Sequence, residues 1–221
     1  MYTADSRLAD IIYSDFTAIP MLGRFGITLG VGDGTIADVC FAKGIDLDFF
    51  LALINAYLGN SDSLSLSVAG IRHLANFLAL TNAYYISAAL PNIERHFRAL
   101  SGRSGDACAE NNLQLLWGFF MELKREISSR ADSDKESLSQ DVGIVEPEAS
   151  IVCVAELLAG NRETDESIED KVEDLRSFFI VHLQGTYDQN LCMAVVTSLA
   201  VLENDIRRTN RLRALLRNCC K

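Results

Sequence analysis

The chain has 221 residues, 49% of them hydrophobic, with three prolines and a formal net charge of −10. That length can bury a sizeable core, as one large domain or two small ones. The acidic balance excludes non-specific nucleic-acid binding and a peripheral place on anionic membranes, because both need a dense basic surface.

Residues 1–20 interleave Asp5, Arg7, Asp10 and Asp15 with apolar positions, so no secretory leader is expected. Leu8, Ile11, Ile12, Phe16 and Ile19 give an amphipathic start, which Pro20 and Gly23 are expected to break or bend. A glycine-rich turn follows over Phe25-Gly26-Ile27-Thr28-Leu29-Gly30-Val31-Gly32-Asp33-Gly34. Thr35 opens the next helix with Asp38 three residues on, the pattern of a capping box, and Lys43-Gly44 closes it. Asp46 or Asp48 caps a further helix carrying Leu47, Phe50, Leu51, Ile54 and Leu58. The turn formers Gly59-Asn60-Ser61-Asp62-Ser63 read as a linker.

Beyond it, apolar residues in steps of three and four predict helices at about 66–100, 109–131, 166–184 and 189–217, with a short helix at 148–159 behind Pro147. The seams are Ile71-Ala75-Leu78-Asn82-Tyr85-Ala89, Leu113-Leu116-Phe120-Leu123-Ile127-Arg130-Asp134 and Leu191-Val195-Leu199-Leu202-Ile206-Thr209-Arg213. Asn82, Arg130, Asp134, Thr209 and Arg213 therefore share the inward faces of apolar helices. The tract Ser128–Ser137 is polar and weak in helix propensity, so a frayed end or a loop is expected there. The fold class expected is all-α. A small helical domain over 1–59 precedes an up-and-down four-helix bundle over 60–221, and no internal repeat is visible.

Residues 7–58, through Leu8-Ala9-Asp10-Ile11, Arg24-Phe25-Gly26-Ile27 and Thr35–Ile45, resemble the N-terminal domain of the iron–sulphur-cluster-repair di-iron proteins. Residues 66–217 resemble the hemerythrin-type bundle that follows it in that family, in helix order and spacing. The resemblance implies a paired cysteine after the Phe-Gly-Ile motif, and Gly30 and Val31 stand at that place, followed by Gly32 and Asp33. It implies two irons held by His and carboxylate. Asn76 and Asn82 stand where the first helix would carry histidines. Arg130 with Asp134, and Thr209 with Arg213, stand where two His-x-x-x-Glu pairs would fall. An arginine keeps its proton near neutral pH and offers no lone pair, so these six positions describe a degenerate metal site. No metal and no cofactor are expected. Arg130 and Arg213 are instead expected to meet Asp134 or another acid such as Glu203.

Other constellations are weaker. Gly30-Val31-Gly32-Asp33-Gly34 before a helix looks like a phosphate loop, but no strand precedes it, no Lys-Ser/Thr follows and Asp33 repels phosphate. Residues 35–54 have helix–turn–helix length, yet the second helix offers Asp46, Asp48, Phe49 and Phe50 with no Arg or Lys for DNA. The basic C-terminus, Arg207, Arg208, Arg211, Arg213, Arg217 and Lys221, is read as a helix end facing the acidic stretch Glu163–Asp174. Six scattered cysteines without a CxxC pair suit a reducing compartment, hence a cytoplasmic protein.

No nucleophile with its base and no paired inward carboxylates support an enzyme. The function expected is that of a metal-free, non-catalytic hemerythrin-like interaction or regulatory module. Its partner is an unidentified protein, neither nucleic acid nor membrane, and a homodimer is compatible with the layout. The opposing expectation is a di-iron or mononuclear metalloprotein for cluster repair or for oxygen or nitric oxide response. Its shifted ligands would be drawn from His73, Glu94, Glu122, Glu126 and His182.

Overall fold

The computed structural model describes residues 1–140, apart from Ser65 and Ser104, and residues 162–219. The helix expected at 148–159 lies outside the described residues. Within them the protein is all-α, with no strand; Arg7 and Thr35 form a single isolated antiparallel bridge. No described helix is long and apolar enough to cross a membrane.

The chain divides into two compact units, and the helices Val68–Tyr84, Ala107–Gln140 and Gln189–Cys219 each contribute to both. The described part of the first unit comprises residues 1–81, 134–140 and 207–219. It opens with α1 (Leu8–Ser14), which stops at Asp15, where the backbone turns extended (φ −151°, ψ 91°) and the carboxylate accepts the Thr17 amide at 2.9 Å. The short α2 (Ile19–Gly23) then starts, with Pro20 in its first turn. Pro20 therefore begins a helix and does not break one, because the first turn has no partner for the missing N–H.

Helix α3 (Ile36–Lys43) has the capping box the sequence spells: Asp38 N donates to Thr35 Oγ1 at 3.2 Å, and Thr35 N donates to Asp38 Oδ2 at 2.9 Å. Gly44 closes it at φ 66°, and Asp46 caps α4 (Leu47–Tyr57) by accepting Phe49 N at 2.8 Å. The core of this unit joins Leu8, Ile11, Phe50, Leu53 and Tyr57 to Leu74, Phe77 and Leu78 of α5 (Val68–Tyr84) and Leu212 of α9 (Gln189–Cys219). The 1–59 segment thus shares one core with residues from two later helices. The turn expected as a linker is tied in as well: Asn60 N and Ser61 N donate to Asn55 O, and Arg211 pairs with Asp62.

The described part of the second unit comprises residues 82–133 and 162–206. A π-helical turn (Tyr85–Ala89) follows α5 and leads into α6 (Leu90–Ser101). Pro91 sits in the first turn of α6 and lacks the N–H that a regular α-helix would direct back one turn. The widened turn accommodates that gap. It also moves the seam: Leu90, not Ala89, follows Tyr85 into the core.

Helix α7 (Ala107–Gln140) runs unbroken through the Ser128–Ser137 tract expected to fray. Tertiary burial of Ile127, Arg130, Ala131 and Asp134 on one face outweighs the weak propensity of its serines. Helix α8 (Arg162–Ser177) ends in a second π-helical turn (Phe178–His182). Four helical segments meet in one core through Ile93 and Phe97, Leu116 and Phe120, Val172 and Leu175, and Val195 and Leu199.

The connection to α9 is fixed tightly. Asp106 accepts Ala109 N at 2.8 Å and Thr186 N at 2.9 Å, and these bonds hold its carboxyl below the usual range. Gly185 turns at φ 116° directly against Ala109.

Candidate functional site

The six candidate positions separate into three outcomes. Asn76 lies on the exposed face of α5, beside the buried run Leu74, Ala75, Phe77 and Leu78, and belongs to no interior site. In the first unit Thr209, Arg213 and Asp134 are buried, and Arg213 grips Asp134 with both terminal nitrogens: Nη1 donates to Oδ1 at 3.2 Å, and Nη2 to Oδ2. The side chains are 1% and 7% exposed. In the second unit Asn82 is buried, and Arg130 Nη1 donates to Asp165 Oδ1 at 3.2 Å with both side chains about 5% exposed (5% and 4%). Arg176 pairs with Glu203 in the same unit.

Each arginine inserted into an apolar helix face therefore has a carboxylate of its own. The charges cannot stay buried otherwise, since an isolated ion loses its hydration without return. The sequence pointed to Asp134 or another acid such as Glu203 for these arginines; Asp134 pairs with Arg213, Glu203 pairs with Arg176, and Asp165 as the partner of Arg130 was missed. A signal existed: Asp165 stands three residues before Ile168 on the seam that continues through Val172 and Leu175.

Arg208 and Arg211 find partners inside the first unit. Arg208 Nη1 donates to Thr17 Oγ1 at 2.8 Å and pairs with Asp15, while its guanidinium carbon lies 5.3 Å from the centroid of the Tyr57 ring. Arg211 pairs with Asp62.

A di-iron centre does not fit these residues. Guanidinium groups present N–H donors where electron pairs are needed, and the carboxylates beside them are committed to ion pairs. The alternative ligands are also dispersed. His73 is exposed, with its ring 5.3 Å from Phe49. Glu94 holds Lys124 at 2.6 Å and Arg98 at 2.7 Å. Glu122 and Glu126 converge on Lys171, an ammonium where a cation would have to sit, and His182 stacks 5.5 Å from Phe178. Among the described residues no three His, Cys, Asp or Glu side chains assemble as a metal-ligand group.

The N-terminal turn is a connector in its geometry. Gly30 and Gly32 take φ of 92° and 64°, and the turn lays Phe25 between Phe50 (centroids 5.1 Å apart, edge-on) and Phe77 (5.6 Å, stacked), with Ile27 buried. Val31 packs against the same core. Asp33, almost wholly exposed, pairs with Arg7. Gly34 is not in the left-handed region, so the backbone demand falls on Gly26, Gly30 and Gly32.

One surface feature was not visible in the sequence. In the second unit, Leu115 and Phe119 of α7 and Leu175 of α8, with Phe178 of the π-helical turn, line a groove of about 530 Å³. Glu122, Lys171, Asp174 and His182 stand along it. Leu115 and Phe119 are 52% and 48% exposed. Ile180 and Val181 of the same turn are also exposed.

No protein-family model, curated protein or solved structure matches the chain. The resemblance to cluster-repair proteins accordingly rests on the residue patterns alone.

Proposed function

We propose that this chain is a metal-free, non-catalytic relative of the hemerythrin-like cluster-repair proteins, retaining their helical frame as an interaction or regulatory module. The observation that carries the reading is the replacement of ligand positions by buried guanidinium–carboxylate pairs, Arg213–Asp134 and Arg130–Asp165. These pairs supply internally the charge balance that a metal with its ligands would supply, and the guanidinium held against each carboxylate would repel a metal cation.

In this reading the partner is a protein. The net charge of −10 argues against nucleic acid and anionic lipid. Free thiols at Cys40, Cys108 and Cys192 suit a cytoplasmic setting. Burial, with the nearby Asp46 carboxylate adding to it, pushes the Cys40 thiol up to about 11 and away from thiolate chemistry.

Metal analysis of protein produced in iron-replete cells, with a visible spectrum, tests the reading. The expected result is iron far below one equivalent and no absorption beyond the aromatic band. One or two irons per chain, with an oxo- or carboxylate-bridged spectrum, would overturn it in favour of shifted ligands.

A further inference from the structure

The groove between α7 and α8 has three properties that together describe an occupant. Its floor is apolar: Leu115 and Phe119, half-exposed and one helical turn apart on α7, line it with Phe178 and the edge of the core residue Leu175. Exposed apolar surface of this kind, rimmed by polar groups, is characteristic of sites that another molecule covers.

Its rim is anionic. Glu122 and Asp174 line it with Lys171, and Glu126 pairs with the same ammonium, so the carboxylates outnumber it. Lys171 is itself held by the two glutamates, which raise its pKa by hydrogen bonding and keep it charged and committed. Helix α8 adds Glu163, Glu166, Glu169, Asp170 and Glu173 nearby in sequence.

Its end is shaped by a π-helical turn. The five residues Phe178–His182 carry Phe178 and His182 into the groove and leave Ile180 and Val181 exposed. Such turns are rare and are frequent at functional sites.

We propose that this groove docks a short amphipathic helix of a partner protein, with apolar anchors at i, i+3/i+4 and i+7 and lysines or arginines flanking them. The apolar floor takes the anchors, as helix-in-groove recognition requires. The carboxylate rim selects a basic flank and steers the encounter. A second copy of the chain is a poorer occupant, because each copy carries a net charge of −10. The proposal rests on the interaction-module reading and names its surface.

Fluorescence anisotropy tests it, with a labelled peptide of leucine and lysine arranged at that spacing, on the full chain at moderate salt. A scrambled peptide of the same composition and a leucine–glutamate version serve as controls. The expected result is saturable binding of the first peptide and at least tenfold weaker binding of both controls. Phe119→Ala and Phe178→Ala should each weaken binding by about tenfold, as truncation of an apolar anchor pocket does. Asp174→Lys should weaken it and flatten its salt dependence, while Phe41→Ala, at an exposed site in the first unit, should change nothing. Circular dichroism and melting of each variant establish folding, and hydrogen exchange of the wild-type complex should show protection confined to residues near 115–122 and 171–182.

Absence of binding, equal binding of either control peptide, or protection elsewhere would overturn the proposal. So would an apolar dye that fills the groove without competition from the peptide, or a dimer in sedimentation that Phe119→Ala dissociates. Failure here in metal-free protein leaves the module reading standing without this surface. Stoichiometric iron would remove that reading whatever the peptide does.

Discussion

The two units solve the same problem, an arginine on an apolar helix face, in matching ways, but they differ in how they treat the backbone. In the first unit the caps are closed by near neighbours in sequence, Thr35 with Asp38, Gly44 on Cys40 and Phe41, and Asp46 with Phe49, and a Cβ at Gly26, Gly30 or Gly32 would meet nothing within 4 Å. The second unit contains the π-helical turns at Tyr85–Ala89 and Phe178–His182 and the apolar groove, and its left-handed Gly185 stands against the backbone of Ala109. The turn at Phe178–His182 leaves Ile180 and Val181 exposed.

The largest expected effects test whether the buried pairs are equivalent. Asp134→Ala in the first unit and Asp165→Ala in the second should each cost about 3–5 kcal/mol, because a guanidinium is left buried without its partner. Denaturant titration measures both. Replacing the pair together, as Arg213→Met with Asp134→Leu, should recover most of that loss. If the single substitutions cost under about 1 kcal/mol, the arginines have reached water and the pairs do not replace anything.

Glycine substitutions sharpen the contrast in backbone strategy. A Cβ at Gly185 would stand 2.9 Å from the Ala109 amide nitrogen, at φ 116°. Gly185→Ala should therefore cost about 3 kcal/mol, from strain and overpacking combined. At Gly32 (φ 64°) a Cβ meets nothing within 4 Å, so strain acts alone. Gly32→Ala should cost about 1–2 kcal/mol by thermal melting. Gly34→Ala should cost less, since its φ is not left-handed and its nearest contact, 3.6 Å, is ordinary.

Acid comes next in size. For Asp15 and Glu126 burial works against the charged form, but hydrogen bonds from Thr17 and Arg208, and from Lys171 and Ser167, prevail and lower both pKa values. A lowered folded pKa gives stability that is present above the ordinary values of 3.8 and 4.5 and is lost as pH falls through the lowered ones. The melting temperature should stay flat from neutral pH down to about 5 and then fall. Asp15→Asn, in the first unit, should blunt the fall, and so should Glu126→Gln in the second. Smallest of all, Asp33→Asn should be nearly silent, because its pair with Arg7 is solvent-exposed.

Local chemistry explains what was legible in the sequence. The capping box at Thr35, the Gly44 stop and the Asp46 cap need only residues within four positions of one another, so their pattern predicts their geometry. The seam Leu113–Ile127 likewise survives as buried positions of α7. What escaped depends on partners distant in sequence. The serine-rich tract 128–137 is helical because tertiary packing buries Arg130, Ala131 and Asp134. The π-helical turn at 85–89 could have been read from the five-residue step between the core positions Tyr85 and Leu90 and from Pro91 beside it. The groove could not, because Leu115 and Phe119 read as ordinary members of an apolar helix until the neighbouring helix leaves them half-exposed. Among the candidate site residues the pattern placed Asn82, Arg130, Asp134, Thr209 and Arg213 inside, while Asn76 turned outward.

The most direct test of the central claim is thermal melting under anaerobic conditions, with and without excess ferrous iron and after exhaustive chelation. A ligand that binds only the folded state adds about 2.7 kcal/mol at a hundredfold excess over its dissociation constant, a clear upward shift. Because Arg213–Asp134 and Arg130–Asp165 already balance the buried charge, the three melting curves should superimpose. A melting temperature raised by iron, or lowered by chelation and restored by iron, would contradict the account.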